Sequence, residues 1–496
     1  MKSRISKYII VSEIMEKKTD KKKEITLTSS QQRAFDQFKD FIESDKKVFI
    51  LKGYAGTGKT TLLNSFVEEL KEREEVFKLL ASTGRAAKIM RDRTGIPAST
   101  IHSTIYKFSG LNQNLDEIYK NDKEPPERDN TGQFLIQFKF EEKDQTKKEK
   151  IFYLIDEASM IGNQPDKNPS QAQYGSGYLL SDLLRYDKYG KFVFVGDNCQ
   201  LPPIGIKESP ALSSEYFSSV FGLETEIAEL KQIVRQEKSN GIIRAAEKVR
   251  VLYENPDRTR KPTFPILNNP QIKVYSGSIQ MIYKYIEDVQ NNGYEESTLI
   301  CRSNKESVML SHMIRPSLHI EGLTVGVNDL LLVTQNNYVS GLMNGDFVKV
   351  TQVLNRVSRA GLTFVLVEVE ELSSKRRFSQ YLIEDILVSN YANLTQAQQK
   401  ALFLDFYFRM KNKNIKQESS EFEMQMRLDP FYNALRASYG YAVTCHKSQG
   451  GEWKRVYIST PDYMYNAQRS DYQWFYTAMT RASENLCVVK SITFTE

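Results

Sequence analysis

The chain is predicted to be an α/β protein built on doubly wound parallel sheets, with its ligand at the carboxyl ends of the strands. Three stretches predict this. The apolar run at 48–51 leads into GYAGTGKT at 53–60; a second run, IFYLIDEAS (151–159), closes on Asp156-Glu157; a third, KFVFVGD (191–197), is followed by NCQLPPIG. Segments of helical character separate them, the alternation expected of parallel strands joined by crossovers.

The first stretch is a full match to G-x-x-x-x-G-K-[ST]. Gly53, Gly56 and Gly58 allow a tight turn whose N–H groups point inward at phosphate oxygens. The helix that follows adds its positive end. Lys59 is expected to reach the β- and γ-phosphates and Thr60 to ligate Mg²⁺, with Thr57 and Thr61 beside them. The second stretch has the form of a Walker B strand: Asp156 would hold Mg²⁺ and Glu157 would polarise the attacking water. In the third, Gln200 lies just past a strand end, where an amide can meet the γ-phosphate; a turn set by Pro202-Pro203 explains the same residues. The ligands implied are ATP and Mg²⁺.

Composition limits the alternatives. Charged residues make up 26% and the hydrophobic set 40% of 496 residues, ordinary for a globular chain of about three domains. The net charge of +6 is compatible with a polyanionic partner without demonstrating one. No apolar run is long enough for a transmembrane helix. The basic N-terminus has too short an apolar stretch for a secretory signal. An organelle presequence stays open. Cys199, Cys301, Cys445 and Cys487 are dispersed, which fits a reducing compartment and leads us to expect neither a structural metal nor an iron–sulfur cluster.

A second glycine-rich stretch, GYAVTCHKSQGGEW (440–453), pairs Cys445 with His446. A nucleophilic pair would need an orienting group and an oxyanion site, and the flanks suggest neither. A small buried thiol is the expected role of Cys445.

The order of motifs resembles the superfamily-1 helicases, within them the 5′→3′ branch that includes RecD, Dda and the PIF-type enzymes. LTSSQQRAF (27–35) resembles the Q-motif, LLASTGRAAKIM (79–90) motif Ia with Ser82 in place of a proline, and STIHSTIY (99–106) the next DNA-contacting motif. IDEASM and GDNCQLPPIG are similar to motifs II and III, LKQIVRQ (230–236) to motif IV, GYAVTCHKSQGGEW to motif V and FYTAMTRAS (475–483) to motif VI. The resemblance implies two RecA-like domains with ATP between them. It puts Gln31 on the adenine edge, and Gly450, Glu452 and Gln449 near the nucleotide. Arg235 and Arg481 become arginine fingers. Thr83, Gly84, Thr100, His102, Thr444, His446 and Lys447 fall toward DNA.

The expected organisation is an N-terminal tail at 1–24, a first RecA-like domain at 25–225 and a second at 226–340 and 437–496. Residues 107–148 would form an inserted hairpin, or pin, with Phe134, Phe138 and Phe140 as wedge or core residues. Residues 341–436 would form an SH3-like barrel with a helical extension whose DFYFR aromatics are core, and 163–178 reads as a long exposed loop. That loop does not match the PIF-type signature expected there, so RecD/Dda-like is the safer name. The implied partners are single-stranded DNA and tailed or forked duplexes, met by a monomer, with single-strand-binding, replication or repair proteins as further partners. The implied setting is the cytoplasm of a bacterial or phage-infected cell, with organelle and nucleus open. A 3′→5′ UvrD-type helicase and a nucleic-acid clamp with structural ATP are the competing readings. GRAAK, TIH and TCHKSQG weigh against the first, and the intact set Lys59, Asp156, Glu157, Gln200, Arg235 and Arg481 against the second.

Overall fold

The computed structural model describes residues 27–111, 136–146, 148–165, 172–234, 240–255, 263–322, 324–337, 339–389, 393–417, 419–459 and 469–496. Arg235 and Phe134 lie outside them, as does the side chain of Phe138.

The first lobe is a six-stranded, wholly parallel sheet in the order β3 (Ala98–Thr100), β2 (Val76–Ala81), β6 (Ile151–Asp156), β8 (Lys191–Gly196), β1 (Val48–Gly53) and β9 (Thr225–Leu230). Its central strands are near-continuous apolar runs because both faces are covered. Phe49, Leu51, Phe152, Leu154, Val193 and Val195 face helices α1 (Ser29–Glu43) and α2 (Lys59–Glu72). Their alternates Val48, Ile50, Tyr153, Ile155, Phe192 and Phe194 face α4 (Ile101–Ile105), α5 (Leu179–Tyr186) and α6 (Ser214–Phe221). Helix α3 (Gly84–Thr94) follows β2 and packs on β2 and β3.

The second lobe is a five-stranded parallel sheet ordered β11 (Ile272–Tyr275), β20 (Ala482–Val489), β19 (Trp453–Ile458), β12 (Ser297–Cys301) and β18 (Ala442–Thr444). One face packs on α7 (Gly241–Glu254) and α14 (Arg469–Met479), the other on α8 (Ser278–Asn292) and α9 (Asn304–Ser317). A two-stranded pair, β10 (Phe264–Pro265) and β21 (Phe494–Thr495), forms a separate small sheet packed against α7.

The boundary expected at 225/226 moves: β9 pairs with β1 along its whole length, so residues 225–230 belong to the first lobe. The inserted antiparallel sheet is also larger than 341–436. Its order is β16 (Arg377–Ile383), β15 (Leu362–Glu371), β14 (Phe347–Arg359), β13 (Leu330–Val333) and β17 (Ala437–Tyr439), so β13 and β17 leave the second lobe and join it. Bulges bend β14, and a bridge between Leu382 and Leu435 draws the two ends of the sheet together, a barrel-like curl. Helices α10 (Asp385–Val388), α11 (Gln396–Asn412) and α12 (Ser420–Leu428) extend it. Phe406 and Tyr407 of DFYFR are buried there against Phe422 and Met426, as the core reading expects.

The stretch 163–178 is not loop throughout. Ala172–Tyr174 is β7, which lies parallel to β5 (Ile136–Phe140); β5 in turn pairs antiparallel with β4 (Tyr106–Leu111). The module at 107–148 therefore takes a third strand from beyond motif II. Phe140 packs on the first-lobe core under the Arg185 guanidinium, which is the core-facing reading.

Candidate nucleotide and strand site

The loop between β1 and α2 has the geometry its glycines require. Gly56 and Gly58 take φ of +73° and +78°, and a Cβ on Gly53 would sit 2.7 Å from Lys59 Cγ. Lys59 Nζ donates to the carbonyls of Gly53 (2.7 Å) and Tyr54 (3.1 Å), so the ammonium lies over the loop. Gln31, buried, caps α1 jointly with Thr28 and donates from Nε2 to Thr57 O at 3.1 Å. Its amide donor thus holds the P-loop from behind. Thr60 Oγ1 accepts from Arg93 Nη1 at 3.4 Å, and Thr61 follows in the first turn of α2.

Asp156 ends β6 and accepts from the Glu157 N–H at 2.8 Å; Glu157 sits at φ +51°, a left-handed backbone that a non-glycine residue adopts at a cost. Burial raises the pKa of both carboxyls. The Glu157 carboxyl is raised further by Asp156 and lowered by Arg481 and Lys59, cations from opposite lobes. Thr60 hydroxyl and Asp156 carboxylate are the hard oxygen donors that Mg²⁺ takes.

The lobes are joined across this site. The Tyr476 hydroxyl, from α14, accepts from Ala55 N–H of the P-loop at 2.8 Å and donates to Asp197 Oδ2 at 2.8 Å. Leu201 N–H donates to Thr477 Oγ1 (2.9 Å), Gln473 Nε2 to Gln200 O (3.3 Å), and Gln449 Nε2 to Leu201 O (3.0 Å). Gln200 and Gln449 each leave a buried amide oxygen without a hydrogen-bond partner, acceptors suited to a bound water or ligand donor. Arg481 is buried and fixed by donation to Thr477 O (3.1 Å) and Gly451 O (3.3 Å). Glu452 lies 3.8 Å from Arg93, which links it to Thr60. Arg235 is outside the described residues, but its neighbour Val234 donates to Gly56 O at 2.9 Å. These residues fit a magnesium-bound triphosphate.

The residues expected toward DNA are arranged otherwise. Thr83, Thr100 and Thr444 are N-caps, accepting from the N–H groups of Ala86, Ser103 and Lys447. Gly84 lies against Met343 of the inserted sheet, where a Cβ would come within 2.4 Å. His102 packs edge-on to Tyr174 at 5.0 Å and beside Tyr106, and burial pushes its pKa down to about 4. His446 and Lys447 are half-buried in the short helix α13 (Cys445–Ser448), each with its pKa lowered by burial. Cys445 is fully buried and its thiol is pushed up to about 12.

Sequence reasoning missed Asp197, Tyr476 and Arg93. Asp197 carries the signal that picked Asp156, an acid closing an apolar strand. Tyr476 stood inside a quoted motif. Arg93 is one of several helix-surface arginines, and nothing local marks it. Among the described residues no helix is long and apolar enough to cross a membrane.

A family model described as an AAA domain matches residues 26–252, and one described as a UvrD-like helicase C-terminal domain matches 439–489. The chain is 24% identical to an uncharacterized protein of Acanthamoeba polyphaga mimivirus, over 92% of this chain and 98% of that one. It is 23% identical to the ATP-dependent DNA helicase dda of Enterobacteria phage T4, over 92% and 97%. Among solved structures it is similar to a Pif1 helicase from Bacteroides in complex with ADP-AlF3 and ssDNA, at 17% identity and a TM-score of 0.49, covering 94% of this chain and 92% of that one.

Proposed function

We infer that this chain, a member of the superfamily-1B helicases of the Dda and Pif1 type, is an ATP-dependent DNA helicase that moves 5′→3′ along single-stranded DNA and parts the duplex ahead of it. The observation that carries the reading is the seam. One tyrosine of the second lobe, Tyr476, is bonded at once to the P-loop and to Asp197, and the same lobe sets Arg481 in the field of Glu157.

On this reading Lys59 and the P-loop amides hold the β- and γ-phosphates, while Thr60 and Asp156 hold Mg²⁺. Bound there, the metal neutralises charge on the phosphate oxygens. Glu157 takes the proton of the attacking water, and the free amide oxygen of Gln200 orients that water. Arg481, from across the seam, stabilises charge building on the γ-phosphate, so turnover requires closed lobes, and Arg235 is assigned the same role. Guanidinium suits this because it stays charged and forms forked bonds to phosphate. Cleavage weakens the bridge and lets the lobes part. A strand lying over the α3, α4 and α13 ends is then gripped alternately, which gives stepping.

Affinity for the strand comes from phosphate contacts and stacking, so it falls with salt and has little sequence preference. Monomeric action, a cytoplasmic setting and replication or repair partners complete the proposal. The test is unwinding measured side by side on 5′-tailed, 3′-tailed and RNA-containing forks. Unwinding of the 5′-tailed DNA alone is expected; a requirement for the 3′ tail overturns the polarity, and a preference for RNA overturns the substrate.

A further inference from the structure

Helix α3 of the first lobe meets both other bodies at one residue. The Arg85 guanidinium lies 4.6 Å from the ring centroid of Trp453, which opens β19 in the second lobe, and 5.5 Å from that of Phe347, which opens β14 in the inserted sheet. The two rings stand edge to face at 6.3 Å, making a slot that a planar cation fits. On the remaining side is Gly451, where an added Cβ would come within 2.7 Å of Arg85 Cζ. The carbonyl of the same glycine accepts from Arg481 Nη1 at 3.3 Å. Gly451 therefore has the slotted arginine against its α-carbon and the proposed finger on its oxygen.

Around this contact α3 is anchored to the inserted sheet: Lys88 pairs with the buried Glu371, and Gly84 lies on Met343. Arg85 itself leaves Nη1 buried without a hydrogen-bond partner. Asp346 attracts it only through space, and Arg481 repels it. A buried guanidinium short of partners costs stability, so a structural filler would be better served by an apolar side chain.

We propose that Arg85 is a positioning residue that couples strand engagement at α3 to the placement of Arg481, through the slot formed by Trp453, Phe347 and Gly451. A shift of α3 when a strand seats at its N-terminal end moves the guanidinium against Gly451, and the Gly451 carbonyl moves Arg481. The inserted sheet, through Phe347, sets where the slot stands. Lysine cannot substitute, because its ammonium lacks the plane that stacks. This rests on the helicase reading above.

Two measurements test it on the full chain: the ratio of oligo(dT)-stimulated to basal ATP hydrolysis, and intrinsic tryptophan emission as oligo(dT) is added without nucleotide. The chain has two tryptophans, Trp453 in the slot and Trp474 in α14, so emission is read in a Trp474→Phe background, taken as the wild-type reference, where Trp453 alone reports. In wild type oligo(dT) is expected to shift the emission. In Arg85→Ala that shift is lost and the stimulation ratio falls about fivefold or more, the ordinary range of coupling between sites. Arg85→Lys recovers neither fully. Should Arg85→Ala not fold, Phe347→Leu opens the slot from the inserted sheet alone and is expected to lower the ratio in the same direction. Wild-type stimulation with an undiminished ratio in these variants overturns the coupling and leaves the motor standing. Full recovery by lysine overturns the stacked geometry. A wild-type protein that DNA does not stimulate overturns both.

Discussion

At the seam between the lobes, side chains reach across: Tyr476, Thr477, Gln473 and Gln449 of the second lobe bond to Ala55, Asp197, Leu201 and Gln200 of the first. At the rim proposed to face the strand, Thr83, Thr100 and Thr444 bond to the backbone of their own short segments. The first region joins two bodies through buried groups. The second presents three helix N-termini, with each threonine fixing the end of a helix. A substitution at the seam is thus expected to act on turnover and on the union of the lobes. One at the rim acts on local order first and on strand affinity through it.

The largest effect tests the seam at its centre. Lys59→Ala is expected to bring hydrolysis to the detection limit, measured as phosphate release with saturating oligo(dT); residual wild-type turnover would remove the P-loop from catalysis. Arg481→Ala is expected to slow turnover by a factor on the order of 10³ if it acts as a finger. Unchanged turnover would leave Arg481 as a packing residue. Tyr476→Phe leaves Ala55 N–H and Asp197 short of a partner and is expected to cost about 1–3 kcal/mol of stability, read from urea unfolding. A cost near zero would mean the seam is not held there.

Smaller effects probe the rim. Thr100→Ala is expected to cost about 1 kcal/mol, and Thr100→Asn, which can still cap, to cost less. Equal DNA affinity in Thr100→Asn and wild type would support capping; loss in both variants would point to direct contact. His102 supplies the smallest and most specific test. Its folded pKa lies near 4 against the ordinary 6.5. Between those values the unfolded chain binds a proton that the folded one refuses, so stability falls as pH drops through that window. Unfolding at pH 7 and pH 5 should show a shallower pH slope in His102→Phe, and an unaltered slope would place the histidine in water.

The same contrast explains what could be read from sequence. The first parallel sheet and the P-loop are legible because apolar runs, glycines and a lysine sit within a few residues of one another, whereas the second sheet is expected only from the family resemblance. Strand β9 was missed as part of the first sheet because TEIAEL is polar enough for an edge, and the edge is where it lies. Strands β13 and β17 were assigned to the wrong body because an antiparallel partner a hundred residues away leaves no local trace. In the site, Lys59, Asp156 and Glu157 carry their chemistry in their immediate neighbours. Tyr476 and Arg85 acquire theirs from another lobe, which no short window displays.

The central claim is that a nucleotide bound between the P-loop and Arg481 draws the lobes together. All four native cysteines are buried, so cysteines placed at exposed Glu72 and Glu287, one on each lobe, can be labelled selectively. The distance between labels, measured in the Glu157→Gln background with oligo(dT), is predicted to shorten to one narrow population when ATP and magnesium are added and to lengthen when ADP replaces ATP. A distribution that ignores the nucleotide would contradict the account.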